Sequence, residues 1–254
     1  MTLNDFLVSE IFTFLLIFCR VGTALMILPG FGEAFVSARV RLLLALMFSL
    51  VLTPALPDFP APPSHVFTLM TIMMAEILTG IFFGMLGRLM LAAISTAGMI
   101  IAYQAGLASA LVQDVTIAGG QASSLGNLLG ITAMALLFAT NMHHLMLQAL
   151  MDSYQIFPVG QFPNVEDFTW QAAKIVNSSF LISLQIAAPH IVIGLVVYLA
   201  GGITGRLMPS LQVFFILLPP QLILSFFVLM VAWSSIMMWY MDYFRDGISQ
   251  FVGQ

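Results

Sequence analysis

MMAEILTGIFFGMLGRLMLAAISTAGMIIAYQAG, residues 73–106, is the stretch that decides how this chain folds. Four of its residues recur at intervals of four, which places them in one row along a helix: Glu76, Gly80, Gly84 and Arg88. Glycine inside a helix costs about 1 kcal/mol relative to alanine in water, but in apolar surroundings it lets a second helix approach closely. The row therefore predicts a helix that packs against other protein segments and directs its few charges toward them.

The composition of the whole chain places it in a membrane. Of 254 residues, 61% are hydrophobic and 7% are charged, whereas a soluble domain carries about 25% charged residues. The length accommodates about six or seven spans of roughly 20 residues. The formal net charge is −4 and comes from few groups. The basic residues among them form no basic patch, so no nucleic-acid partner is expected. The sequence predicts an all-α, polytopic membrane protein.

The apolar stretches are interrupted more often than those of simple membrane anchors. Arg20, His143 and His190 each fall near the middle of an apolar stretch, where hydrocarbon would leave them without partners. We therefore expect broken hydrophobic helices that contact other protein over much of their length. Arg20 is either part of a functional site or a structural arginine with a partner.

Helix boundaries follow from the same pattern. We expect a short helix over 42–53, buried in protein or crossing only half of the membrane, and a bend near 92 in the glycine-row helix. We also expect a sharp turn where Gly201, Gly202 and Gly205 lead to Arg206 and Pro209, a break at Pro219 and Pro220, and a polar tail from Asp242. The apolar stretches cover residues 6–28, 42–53, 66–103, 125–151, 175–200 and 211–240.

Motifs of common enzyme classes are absent from the sequence. It contains no GxxxxGK[ST] phosphate loop, no HExxH or CxxC, and no GxSxG. His143 and His144 are adjacent, so on a helix they point about 100° apart and do not chelate one metal comfortably. We expect no catalytic residue, no cofactor and no metal site.

Several short motifs follow one another along nearly the whole chain. They are Arg20-Val21-Gly22 with Pro29, Arg39 and Arg41 before Pro54, Glu76 with Gly80, Gly84 and Arg88, Ala97-Gly98, Tyr103-Gln104-Ala105-Gly106, Asp114, and 201–209 with Gln212 and Pro219. In order and spacing they resemble the FliR family of flagellar biosynthetic proteins and its injectisome counterparts, the R- or T-type components of the type III secretion export gate.

This resemblance implies one export-gate domain over residues 1–254, with a P-like half at about 1–175 and a Q-like half at about 176–254. It implies assembly with P-type and Q-type membrane proteins, contacts with the B-type and A-type export components and with membrane lipid, and passage of unfolded export substrates. The implied location is the bacterial inner membrane, in the flagellar basal body. In such an assembly the apparent spans need not be simple anchors.

The resemblance also assigns roles to residues. It places a pore plug in the loop 106–121, although this loop has none of the phenylalanines that relatives often carry there; a packed connector is the alternative. The plug residues are Leu107, Leu111, Val112, Asp114 and Ile117. The expected packing and interface residues are Arg20, Gly22, Glu76, Gly80, Gly84, Arg88, Gly98, Gln104, Gly106, Gly205, Arg206 and Pro209.

Three other functions remain open from the sequence. An injectisome export-gate subunit would share the same motifs. A secondary transporter would also use glycine- and proline-broken helices with buried ionisable residues, but it would be stable as a monomer or a symmetric dimer. A structural scaffold would lack a conducting role.

Overall fold

A computed structural model describes residues 3–56, 59–107, 124–160, 162, 164–208 and 213–253. This described part contains helices and no strand, which confirms the all-α class. The α-helices are α1 (Leu3–Ile27), α2 (Ala38–Leu52), α3 (Val66–Gln104), α4 (Ser124–Ala139), α5 (Met142–Ile156), α6 (Val165–Leu207) and α7 (Val213–Ser249). A short 3-10 helix, Thr53–Ala55, follows α2.

The helices have the length and composition of membrane spans, so the polytopic prediction is also confirmed. Five described stretches are long and apolar enough to cross a membrane, or six if α4 and α5 form one bent span. α3, α6 and α7 have 39, 43 and 37 residues. Each is therefore much longer than the roughly 20 residues that one crossing requires.

The chain forms two compact units. The first comprises Met1–Leu89, Asn141–Ile175 and Arg245–Gln254, and the second comprises Met90–Thr140 and Val176–Phe244. This division follows spatial proximity, and the P-like and Q-like halves expected from the resemblance stay a prediction.

An aromatic cluster holds the first unit together. The rings of Phe82 and Phe168 stack with centroids 3.9 Å apart, and Phe157 meets both rings edge-on. Phe83 contacts Phe251, with ring centroids 5.5 Å apart. The cluster thereby joins α3 to the start of α6 and to the residues that follow α7.

The glycines and prolines near the carboxyl end interrupt the helices less than the sequence predicts. Gly201, Gly202 and Gly205 all lie inside α6, and Pro219 and Pro220 lie inside α7, which continues to Ser249. Apolar surroundings offer the backbone no water to bond, so a helix persists through residues that would end it in a soluble protein. The helix α6 therefore continues to Leu207, past the three glycines.

The breaks among the earlier helices also differ in part. α3 runs without interruption from Val66 to Gln104, and the bend expected near residue 92 stays a prediction. α2 begins earlier than expected, because Ser37 caps it by accepting a hydrogen bond from the Val40 amide. With the 3-10 helix it reaches 18 residues, long enough for a span, and less than a fifth of it is buried. The helix is therefore longer than the expected 42–53, and its burial against other protein segments stays a prediction.

The apolar stretch 125–151 forms two helices, α4 and α5, which are separated next to its polar residues. Asn141 separates α4 from α5 and has φ 59°, the left-handed conformation. Asparagine visits this conformation more readily than most residues, because its short side chain is compatible with it. The break therefore has a local cause in the sequence.

Candidate functional site

Arg20 lies in the carboxyl-terminal half of α1 and is 1% exposed. Its Nε donates to Glu76 Oε2 of α3 at 2.7 Å, and its Nη2 donates to Glu76 Oε1 at 3.1 Å. Glu76 is also 1% exposed. The two charges thus form a bidentate ion pair, the arrangement in which arginine and carboxylate match best.

Two further hydrogen bonds of Arg20 reach the carboxyl end of α5. Nη1 donates to the Ser153 hydroxyl at 3.2 Å, and Nη2 donates to the Phe157 carbonyl at 3.0 Å. The guanidinium carbon lies 4.0 Å from the centre of the Tyr154 ring, within the range of a cation–π contact. Arg20 therefore connects α1, α3 and α5, and its charge is balanced inside the first unit.

The glycine row of α3 faces α1, next to this ion pair. A Cβ atom on Gly80 would collide with the Arg20 carbonyl oxygen and with Thr23 Oγ1. A Cβ on Gly84 would lie 2.7 Å from Ile27 Cβ and 3.0 Å from the Ala24 carbonyl oxygen. Successive turns of α3 thus lie against successive turns of α1, at a distance that only glycine permits.

Two predicted residues lie outside this contact. Arg88 is exposed on α3, so the row carries a buried charge at one end only. Gly22 lies on another side of α1, where an added Cβ would meet Phe18 and Ala45 at 3.7 Å and 3.9 Å. These are ordinary contact distances, so Gly22 is not required for close approach.

A second close helix contact occurs in the second unit, between α3 and α4. A Cβ on Gly98 would lie 2.5 Å from Gly126 Cα, and one on Gly130 would lie 2.7 Å from Ser95 Oγ. Neither Gly126 nor Gly130 was predicted from the sequence. The available signal was their four-residue spacing, which is the same small-residue pattern as in α3.

The carboxyl end of α3 is held by its neighbours. Gly106 has φ 83°, its amide donates to the Tyr103 carbonyl, and the Leu107 amide donates to the Ala102 carbonyl. This pair of bonds is the Schellman arrangement that ends many helices. Gln221 of α7 donates from Nε2 to the Gln104 carbonyl at 2.6 Å.

The Gln104 side chain itself packs closely against Gly194 of α6. Both Gln104 and Gly106 are therefore at helix contacts within the second unit. Gln221 and Gly194, which make these contacts, were not predicted from the sequence.

Side chains of α6 and α7 also bond to backbone carbonyls in the second unit. Ser183 Oγ donates to the Ala93 carbonyl at 2.7 Å, and the Tyr240 hydroxyl donates to the Met90 carbonyl at 3.4 Å. His190 Nε2 lies 3.2 Å from the Ser225 carbonyl oxygen. Polar side chains inside membrane bundles commonly join helices in this way.

Several predicted residues lie elsewhere. Leu107 is half-buried, Gly205 is half-buried in the last turn of α6, and the adjacent Arg206 is exposed. Within the described residues, no group of three or more His, Cys, Asp or Glu side chains is arranged to hold a metal ion. Leu111, Val112, Asp114, Ile117 and Pro209 lie outside the described residues.

Comparison with known proteins assigns the chain to a family. Residues 11–247 match the family described as bacterial export proteins, family 1. The flagellar biosynthetic protein FliR of Caulobacter vibrioides is 35% identical over 93% of this chain and 94% of its own length. FliR of Bacillus subtilis is 33% identical over 88% of this chain and 86% of its own length.

A Yop translocation protein is a more distant relative. The Yop proteins translocation protein T of Yersinia pestis is 26% identical over 92% of this chain and 90% of its own length. The match therefore covers flagellar and Yop translocation proteins alike. The chain belongs to the bacterial export proteins of family 1, as the resemblance in its motifs predicts.

Proposed function

We propose that this protein is a structural and gating subunit of the flagellar type III protein export apparatus. The observation that carries the proposal is the 35% identity to a flagellar biosynthetic protein over 93% of the chain. The relation to the Yop translocation protein is weaker, at 26% identity. An injectisome export gate is therefore the second candidate function.

The proposed partners are P-type and Q-type membrane proteins, which together with this chain form the export pore. Exposed apolar side chains support this part of the proposal. Val192, Leu195, Val196 and Leu199 form a helical stripe on α6, and each is about 60% exposed. Such a stripe suits contact with the apolar helices of other subunits as well as with lipid.

The finer parts of the proposal come from the resemblance in the sequence. The chain combines a P-like half, at about 1–175, with a Q-like half, at about 176–254, and lies in the inner membrane at the flagellar basal body. The loop 106–121 is the plug that seals the pore until an unfolded substrate passes. The B-type and A-type export components are further partners, and no catalytic step is assigned to the chain.

Purification of the tagged protein in mild detergent, together with its genomic neighbours, tests the proposal. Mass spectrometry of the retained proteins should find two further small helical membrane proteins in unequal amounts. A flagellar role also predicts loss of motility on deletion of the gene, restored by the wild-type chain. Recovery of the chain alone, as a stable monomer or symmetric dimer, would overturn the proposal and favour a secondary transporter.

A further inference from the structure

A glutamine lies exposed in the middle of the apolar part of α6. Gln185 falls near the centre of the apolar stretch 175–200, and its side chain is exposed on the second unit. Among the described residues, its carboxamide has no hydrogen-bond partner. An amide in apolar surroundings costs free energy unless it is hydrogen-bonded, so this side chain requires a partner.

Pro189 leaves a second group of Gln185 unpaired. It lies one helical turn later, inside a helix that continues through it. Proline has no amide N–H, so it donates nothing to the Gln185 carbonyl four residues earlier. No side chain in the described part of the chain donates to this carbonyl either. Gln185 therefore presents two acceptor oxygens, one in the side chain and one in the main chain, together with its NH₂ group.

Lipid does not meet these requirements. Acyl chains neither donate nor accept hydrogen bonds, so they would leave the carboxamide and the carbonyl of Gln185 unsatisfied. Polar side chains of membrane helices bond to other helices instead, as Ser183 and His190 do within this unit. Those two side chains are buried, whereas Gln185 is exposed. The helix that fits Gln185 therefore belongs to another chain.

The residues around Gln185 favour a helix contact over a water-filled channel. Leu181 lies one turn before it and Val192 two turns after it, and these side chains are 54% and 60% exposed. A channel would place both apolar side chains in water, whereas a helix contact buries them around the polar group. The exposed Ala188 is small, which lets the backbone of another helix come close at this level.

The unpaired groups define the side chain that the other helix presents. Gln185 needs donors for two oxygens and an acceptor for its NH₂ group. A carboxamide supplies two N–H donors and one acceptor oxygen, whereas a hydroxyl supplies a single donor. The apolar stretch 175–200 contains no Asp, Glu, Lys or Arg, so a charged side chain would find no counter-charge there. Asparagine or glutamine is therefore the best match.

We propose that the exposed side of α6 at Gln185 binds a membrane helix of another subunit that presents an asparagine or glutamine side chain. The inference rests on the proposed function, since it requires partner subunits, and it adds a specific polar contact to the apolar stripe of α6. Val192 and Leu199 of that stripe follow Gln185 at intervals of seven residues. Seven residues are about two helical turns, so one partner helix reaches all three side chains.

Photo-crosslinking in cells that make the whole export apparatus tests this contact. Benzoylphenylalanine replaces Leu181, which is exposed and lies one turn from Gln185. We expect an adduct with a helix of another subunit, and the crosslinked peptide should contain an asparagine or a glutamine. Q185L should lower the adduct yield about three- to tenfold, the effect of one or two lost hydrogen bonds between membrane helices.

Two comparisons separate this contact from folding and from a general effect of leucine. Q185L should leave the melting temperature of the purified chain unchanged, because the Gln185 carboxamide bonds no described residue within it. Q155L changes an exposed glutamine of α5 and should leave the adduct yield at the wild-type level.

A variant of the other subunit tests the direct pairing. Leucine at the crosslinked asparagine or glutamine should lower the adduct yield of the wild-type chain, and should add little to the loss in Q185L. Independent losses in the two subunits would contradict a hydrogen bond between these side chains.

Several results would overturn the inference. They are an adduct with lipid alone or within the same chain, a crosslinked helix that lacks asparagine and glutamine, and equal adduct yields for the wild type and Q185L. An equal loss in Q155L and Q185L would do the same. Normal assembly of Q185L with impaired export would instead place Gln185 in a water-filled channel.

The same experiment distinguishes this contact from the proposed function. If partner proteins are recovered with the wild-type chain but the probe at position 181 yields no polypeptide adduct, only the contact is wrong. If the wild-type chain recovers no partner at all, the proposed function fails and the contact fails with it.

Discussion

Arg20 shows how a single residue can appear out of place in the sequence and be fully accommodated by the fold. An arginine in the middle of an apolar helix costs about 2.5–3.5 kcal/mol on insertion. Here its guanidinium donates to Glu76, Ser153 and the Phe157 carbonyl, so its charge is paired and each of its three nitrogens has a hydrogen-bond partner. The residue therefore stabilises the contact of three helices within this chain.

Removal of one partner of this ion pair should be strongly destabilising. R20M or E76Q leaves the other charged group buried with too few partners, an effect of about 3–5 kcal/mol. The double variant R20M/E76Q should lose less than the sum of the two single losses, because no uncompensated charge remains. Thermal unfolding in detergent measures the stability of the two single variants and of the double variant. A loss in the double variant equal to the sum of the two single losses would contradict the direct pairing.

R88Q is the matched control for the chain itself. Arg88 is exposed on the same helix, so this variant should unfold at the wild-type temperature. The sequence also predicts that Arg88 faces a neighbouring helix or another subunit, and the yield of the assembled complex with R88Q tests the second of these. Unchanged yield would remove Arg88 from the interface.

Gly80 and Gly22 provide a second comparison between similar residues. G80A places a methyl group against the Arg20 carbonyl oxygen and Thr23, and we expect a loss of about 1–3 kcal/mol from this overpacking. G22A meets only ordinary contacts and should be neutral or gain up to about 1 kcal/mol in helix stability. Equal melting temperatures in detergent for the two variants would contradict the close approach of α1 and α3.

At the scale of elements, α3 illustrates how one helix serves two contacts. Gly80 and Gly84 lie against α1 in the first unit, and Gly98 lies against Gly126 of α4 in the second. Small residues matter here because lipid is as apolar as leucine, so helices associate through close packing and hydrogen bonds. The 39-residue length of α3 is what allows one element to carry both contacts.

The break between α4 and α5 yields a prediction about an element boundary. Asn141 has a left-handed backbone, which glycine adopts freely and which β-branched residues avoid. N141G should retain the wild-type melting temperature, whereas N141V should lose at least about 1–2 kcal/mol. If N141V unfolded like the wild type, the break would not depend on this conformation.

At the scale of the whole molecule, the chain leaves much apolar surface uncovered. The stripe of α6 and most of α2 are exposed, whereas the ion pair of the first unit is buried between its own helices. This distribution is suited to a subunit that folds around its own charges and then packs against lipid and other apolar helices. It agrees with membership of a membrane-embedded export family.

Deletion of residues 107–121 tests the proposed plug in the assembled complex. A gate subunit should then leak ions across the membrane, measured as loss of membrane potential, while its partners are still recovered in normal amounts. Replacement of the loop by glycine and serine of equal length controls for the shortened connection and should leak as well. Intact potential in both variants, with normal assembly, would favour a packed connector or a scaffold.

Much of the fold could be predicted from local sequence. The 61% hydrophobic content required membrane helices, and the glycine row at 80 and 84 predicted a closely approached helix. The family resemblance also followed from motif order. Helix boundaries were less predictable near Gly201 and Pro219, because their effect depends on whether water is present to receive freed backbone groups.

The sequence by itself determined the class of the protein, the number of apolar stretches and the residues that would need partners. Only the tertiary structure decided which partners they have. Arg20 and Glu76 are 56 residues apart in sequence, and Gln221 reaches Gln104 across 117 residues. Periodicity fixes which face of a helix a residue occupies, but it carries no information about which distant helix lies against that face, because that choice depends on how all the helices pack together.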